Sequence, residues 1–206
     1  LLAFVAREMT ATSGAYYAAL DAETDGHEGR FYVWKLDEIQ PVLEDSEWNL
    51  LAPVYGLDGP PNFEQRYHVP RLVKRLSDLS EDGYRRREAM LETIRKKLLA
   101  ARNQRERPLT DVKIITSWNG LMIRGFADAG RILQNDSYLD SARVAADFVL
   151  ANLMTPGGRL LRCYTSGRAE LAAYLDDYAF FVDGLIAIHR ATEDPKWLDL
   201  AQQLTE

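Results

Sequence analysis

The chain has 206 residues, 47% of them hydrophobic, enough to bury a core and too apolar for a disordered segment. A net charge of −6 and an isoelectric point near 5.2 argue against a nucleic-acid binder held by a large basic face. A single cysteine, Cys163, excludes a disulfide framework, a thiolate zinc cluster and a Cys-x-x-Cys redox pair.

Leu1 to Met9 reads as the tail of a helix, and Thr10 to Gly29, rich in small and acidic residues, as a long loop. The aromatic and β-branched run Phe31-Tyr32-Val33-Trp34 is placed as a short strand. Helical spacing returns over Leu36 to Leu43 and again over Ser46 to Val54, which stops at Gly56. Ser80 is expected to open a long helix to about Asn103, with Glu81 and Asp82 at its positive end. Its basic residues, among them Arg85, Arg86, Arg87, Arg95, Lys96 and Lys97, alternate with Glu88 and Glu92 as on a solvated face. Thr116 or Ser117 is expected to cap the next helix, and Ser137 its partner, which runs to about Leu153. Pro156-Gly157-Gly158 is a turn before a strand at Leu160 to Tyr164. Asp176 or Asp177 is placed as the cap of a further helix, and Asp194-Pro195 starts the last. No apolar run reaches the ~18 residues of a membrane span. No signal peptide is visible, and a reducing, cytoplasmic setting is expected.

Two stretches match without a gap at an offset of 59 residues, from Gly125 and from Gly184. Arg131/Arg190, Tyr138/Trp197, Leu139/Leu198, Asp140/Asp199 and Ala142/Ala201 coincide. A helical pattern recurring at fixed spacing implies stacked hairpins with a shared core. The first helix of each unit is nearly all apolar or small, and the second is more amphipathic, as in inner and outer layers. A closed ring of six such hairpins needs ~350 residues. The fold expected is therefore mainly α, a partial (α/α)6 toroid with short β-hairpins in its loops. The chain is read as part of one such domain.

In such a ring the loops before the inner helices converge on one mouth. The repeat sets Trp118 against Asp177 and Asn119 against Tyr178. An aromatic face beside carboxylate and amide groups suits a sugar, whose C–H surface stacks while its hydroxyls are read by hydrogen bonds. The alternative is that Ser117 and Asp177 only cap helices and Trp118 and Tyr178 only pack. Asp21, Glu23, Asp25 and Glu28 form the densest acidic cluster, and paired carboxylates can act as acid and base in glycoside hydrolysis. Their spacing is not that of a calcium loop, and the three histidines are scattered, so no metal or cofactor is expected.

The same residues carry a resemblance. Asp21-Ala22-Glu23-Thr24-Asp25-Gly26-His27-Glu28-Gly29-Arg30-Phe31-Tyr32-Val33-Trp34 looks like an acidic loop followed by Glu-Gly-Lys-Phe-Tyr-x-Trp. Asn62-Phe63-Glu64, Trp118-Asn119-Gly120-Leu121-Met122-Ile123 and Leu175-Asp176-Asp177-Tyr178-Ala179-Phe180 match as well, in the same order. Together they resemble the spermatogenesis-associated protein 20-like (YyaL-like) group of thioredoxin-domain-containing proteins. That resemblance implies a toroid similar to six-hairpin glycosidases and N-acylglucosamine 2-epimerases, preceded by a thioredoxin-like domain outside this chain. Asp111-Val112-Lys113 departs from the Asp-Asp-Lys of the group.

The functional expectation is a carbohydrate-binding or carbohydrate-processing domain. Asp21, Asp25, Glu28 and Asp177 are the candidate catalytic groups, and Trp118, Asn119, Tyr178, Glu64 and Lys113 the candidate substrate-binding ones. A saccharide or other small molecule is the expected ligand, with neither nucleic acid nor membrane as a partner. The alternative is a non-enzymatic interaction module serving a thioredoxin-like redox or chaperone-like domain.

Overall fold

The computed structural model describes residues 1–75 and 83–206, which divide into two compact units. One unit comprises Leu1–Leu20 with Thr110–Glu206, and the other Asp21–Leu109. Residues 21–109 thus lie, along the chain, between the two segments of the first unit.

The first unit is built from helical hairpins. Helix α1 (Leu2–Glu8) is followed, after residues 21–109, by α5 (Thr116–Leu133), α6 (Asp136–Asn152), α7 (Leu175–Thr192) and α8 (Pro195–Gln203). Helices α5 and α7 form one layer, and α6 and α8 pack behind them. The layer is tight because it contains glycine. A Cβ on Gly120 would lie 2.5 Å from the backbone of Phe180 and Phe181, and one on Gly184 would lie 2.8 Å from the Gly120 carbonyl. Residues one repeat apart become neighbours: Arg124 and Asp183 form an ion pair across the 59-residue offset. Behind this contact Ile123, Phe126, Phe181, Leu185 and Ile188 are fully buried with Val149, Leu153 and Leu160. Two adjacent αα-hairpins with inner and outer layers are the element of which α/α toroids are made.

The turn after each outer helix repeats as well, which the sequence reading passes over. Tyr17 N donates to Met9 O and Leu161 N to Leu153 O; Gly14 N donates to Ala11 O and Gly158 N to Thr155 O. Gly14 and Gly158 both take the left-handed conformation that closes this turn. The two copies are far apart in sequence, but removing residues 21–109 brings their spacing close to the 59-residue unit. The turns feed short strands. Strand β1 (Ala19–Leu20) pairs with β4 (Thr110–Asp111), and β5 (Ile114–Ile115), β6 (Leu161–Thr165) and β7 (Arg168–Ala172) form one antiparallel sheet.

Helix starts differ from the expected caps. Neither Thr116 nor Ser117 caps α5 with its side chain; the Thr116 hydroxyl donates to Leu161 O instead. Asn135, not Ser137, caps α6, because its amide oxygen is the one that reaches the Ser137 and Tyr138 amides. In α7 the flanking residue is Tyr174, and Asp177 sits in the first turn accepting from the Tyr174 amide. Asp194 caps α8 as expected.

The second unit has its own core. Helices α2 (Leu36–Ile39), α3 (Asp45–Tyr55) and α4 (Tyr84–Arg102) bury Trp34, Ile39, Leu51, Val54, Leu57, Leu91 and Ile94. The expected helix start at Ser80 with Glu81 and Asp82 lies outside the described residues. Lys97 on α4 reaches both carboxylate oxygens of the buried Glu47 on α3, at 2.7 and 2.8 Å. That hydrogen bond holds the Glu47 carboxyl below its ordinary range.

Two expectations about local structure are corrected here. The segment Thr10 to Gly29 is not one loop: it holds β1 and a hairpin of β2 (Glu23–Thr24) with β3 (His27–Glu28). Asp25 and Gly26, at φ 54° and 70°, form the two-residue turn that matches strand twist. Phe31 and Tyr32 lie in a turn rather than a strand, and Trp34 makes an isolated bridge to His68. The cause is Arg105, which donates to the Phe31 and Val33 carbonyls at 3.2 and 2.7 Å and to Glu38 at 3.2 Å. Its guanidinium also lies 4.0 Å from the centre of the Trp34 ring.

Leu20 and Thr110 face each other across β1 and β4, so a two-residue Asn-Gly turn can replace residues 21–109. A chain lacking residues 21–109 and closed in this way is expected to keep helical circular dichroism and a single cooperative melt. Loss of that transition would contradict the division.

Candidate functional site

The starts of α5 and α7 converge at one end of the inner layer, and a single carboxylate ties them. Asp177 is fully buried. It accepts from Ser117 N at 3.0 Å, from Tyr174 N at 2.9 Å and from Arg162 Nη1 at 2.9 Å. The Ser117 amide of α5, which lacks a partner within its own helix, is therefore capped by the neighbouring helix. Arg162 comes from β6, leans 4.8 Å from the Tyr174 ring centre and also reaches Asp176. Sequence reasoning missed Arg162, whose only signal is a lone cation inside an otherwise apolar strand.

Asn119 and Tyr178, equivalent in the repeat, do equivalent work. Asn119 is buried; its oxygen accepts from Tyr16 N at 2.8 Å and its amide donates to the Tyr16 and Ile115 carbonyls, both at 3.0 Å. The Tyr178 hydroxyl accepts from Leu160 N at 2.9 Å. Tyr16 and Leu160 occupy the same place in the two copies of the post-helix turn. Each inner helix thus fastens one turn through its fourth residue. Tyr16 itself stacks on Phe126 with ring centres 5.2 Å apart and shares a 2.9 Å hydrogen bond with Ser141. Burial pushes its phenol up to about 12.

Trp118 is different. It is 51% exposed and lines a cavity of about 340 Å³ with Met9, Tyr17, Ala18, Leu121 and Met122. The wall is mostly apolar, and its one amide side chain, Asn119, is already taken up by backbone. Lys113, at the end of the β4–β5 connection, pairs with Asp111 at 3.0 Å. That hydrogen bond lowers the Asp111 carboxyl and raises the Lys113 amine. Val112, between them, is half exposed.

Within the second unit, Asp21 accepts from Glu23 N at 3.0 Å, and Asp25 occupies the hairpin turn. Both line a polar cavity of about 280 Å³ with Thr24 and Glu106. Glu28 is exposed and faces Glu23 across the hairpin, a like-charged pair that gains nothing from its register. Glu64 is exposed in the left-handed region, at φ 45°, and pairs with Arg66 at 3.0 Å. The candidates therefore fall into two sets: Trp118, Asn119, Asp177, Tyr178 and Lys113 in one unit, and Asp21, Asp25, Glu28 and Glu64 in the other. Among the described residues no group of three or more His, Cys, Asp and Glu is placed to hold a metal ion. No described helix is long and apolar enough to cross a membrane.

A mainly helical hairpin frame with buried polar ties at its inner helix starts is thus the class of protein. The chain is homologous over its whole length to a segment of spermatogenesis-associated protein 20, with 31% identity to the human and mouse proteins. An uncharacterised protein of Caenorhabditis elegans is 26% identical over 93% of the chain. The chain spans 31% of the length of these relatives. No family model matches it. Among solved structures it is similar to a GH76 α-mannanase of Bacteroides thetaiotaomicron, with TM-score 0.44 and 16% identity over 81% of this chain and 56% of that one. A cellobiose 2-epimerase of Bacillus thermoamylovorans gives TM-score 0.44 and 12% identity over 99% of this chain and 51% of that one.

Removing the Asp177 carboxylate leaves two backbone amides without their acceptor and the Arg162 guanidinium with only its longer contact to Asp176. Asp177→Ala is expected to cost about 3 kcal/mol of stability in urea denaturation. Trp118→Ala, at a half-exposed position, is expected to cost less than about 1 kcal/mol. Similar losses for the two variants would refute the assignment of Asp177 as a tie between helices.

Proposed function

We propose that the hairpin unit is a saccharide-binding domain whose platform is Trp118. The observation that carries this reading is a large, half-exposed indole in a cavity of about 340 Å³, on a helix start where the Thr116 and Asn119 side chains are already hydrogen-bonded to backbone. Ligand cavities begin near this size, and a cavity of about 300 Å³ suits one or two rings rather than a polymer. Trp118 supplies a flat apolar face, and the Tyr17 ring shares the same cavity. Asn119, Asp177 and Tyr178 act on this reading as the scaffold that fixes Trp118, and Lys113 as a group of the same unit's surface.

A second reading is an interaction module for the thioredoxin-like domain that the sequence resemblance implies. It draws on the exposed apolar side chains Leu121, Leu175 and Phe180.

Calorimetric titration with mono- and disaccharides separates the two. Binding is expected, with an affinity loss of about tenfold or more in Trp118→Ala at unchanged melting temperature. A flat response across a broad saccharide panel would exclude the first reading and leave the second.

A further inference from the structure

The second unit holds a cavity of about 260 Å³ that the saccharide reading does not use. Arg95, Leu98, Leu99 and Arg102 of α4 stand at positions i, i+3, i+4 and i+7, so they share one face of that helix and line one side of the cavity. Trp34 and Leu51, 6% and 2% exposed, line it as well, so it reaches down to the hydrophobic core. Every described residue around it belongs to this one unit. An apolar cavity of about 150 Å³ holds benzene, so this one has room for a ring with a short side chain.

The charges in this apolar surround are all of one sign. Among the described residues that line the cavity none is acidic, while Arg95 and Arg102 bring two guanidiniums. In a chain of net charge −6 that imbalance does not follow from composition. Arg102 lies over the Phe31 and Tyr32 rings, 4.9 and 5.4 Å from their centres. Arg95 is placed differently. Its Nε donates to the Tyr55 hydroxyl at 3.0 Å, and its carboxylate partner, Glu92, is 3.5 Å away with both side chains half exposed. An exposed ion pair of that length contributes little. Because the Tyr55 oxygen accepts from Arg95, its own proton is left to donate. Arg95 and Tyr55 thus set N–H and O–H donors side by side against an apolar wall.

The geometry points to a binding site for an amphipathic carboxylate, a small molecule with one aromatic ring or a short hydrocarbon chain. Its apolar body lies against Trp34, Leu51 and Leu98, and its carboxylate is read by Arg95 and Tyr55. Hydrogen bonds from a guanidinium to a carboxylate are of the strong, charge-assisted kind, and dry surroundings strengthen them. Arg102, about 10 Å further along α4, adds positive potential without binding the same oxygens. This site is in the other unit from Trp118 and neither needs nor excludes the saccharide reading.

Calorimetric titration of the 206-residue chain with 3-phenylpropanoate, and with 3-phenylpropan-1-ol as its neutral counterpart, tests the assignment. For a ligand of about eleven heavy atoms a Kd near or below about 1 mM is expected, with the alcohol at least about tenfold weaker. Arg95→Gln is expected to weaken the carboxylate at least about tenfold and Tyr55→Phe about threefold or more. Leu99 is half-buried and outside the packed core, so Leu99→Trp fills the cavity and is expected to abolish binding. Circular dichroism melts check that each variant keeps its fold. Trp118→Ala is expected to leave the affinity unchanged. No binding up to about 5 mM would overturn the inference. Equal affinity for acid and alcohol, or an affinity untouched by Arg95→Gln, would overturn it as well, because the charge would not be read. Binding that survives Leu99→Trp, or is lost in Trp118→Ala, would do the same by placing the ligand elsewhere.

Discussion

The close approach of α5 and α7 is the constraint from which the rest of the hairpin unit follows. Two backbones can meet at Gly120 and Gly184 only if no side chain stands between them, and at that separation the helix starts are forced together. A helix start carries unpaired amides, and burying them without acceptors costs about 1–3 kcal/mol each. Asp177 resolves this for both helices at once, and Arg162 offsets its charge. The 59-residue register, the buried carboxylate and the strand that delivers Arg162 are thus parts of one solution.

The same economy explains the neighbouring polar residues. Asn119 and Tyr178 sit in the first turns of the inner helices, where their side chains project toward the turns after the outer helices. They fasten those turns by backbone hydrogen bonds, at Tyr16 and at Leu160. A polar residue at that position therefore has a structural duty in both copies, with a different side chain each time. Trp118 has no such duty. That contrast, more than any sugar-like pattern, singles it out as the residue with a surface to offer.

Much of the frame was legible in the sequence. The repeat at Gly125 and Gly184, the Asp194-Pro195 start and the hairpin near Cys163 follow from periodicity and turn chemistry, and all are local signals. What escaped was non-local. Phe31 to Trp34 has strand composition, but Arg105, more than seventy residues away, takes up the carbonyls a strand would have used. Ser117 has the side chain of a cap, but the capping group comes from Asp177 on another helix. The second internal repeat, of the turns at Gly14 and Gly158, is hidden because residues 21–109 stretch its spacing. The candidate site divided along the same line: residue types that suit a sugar were visible, while their prior commitment to backbone was not.

The central claim is that α7 caps α5 through Asp177. Ser117 lies in the first turn of α5, where amides have no helical acceptor and exchange freely in an ordinary surface helix. Hydrogen exchange at the Ser117 amide, followed by NMR, tests this most directly. The account predicts protection comparable to that of Ile123 and Phe126 in the helix interior, lost in Asp177→Ala. Rapid exchange at Ser117 in the wild-type chain would contradict it.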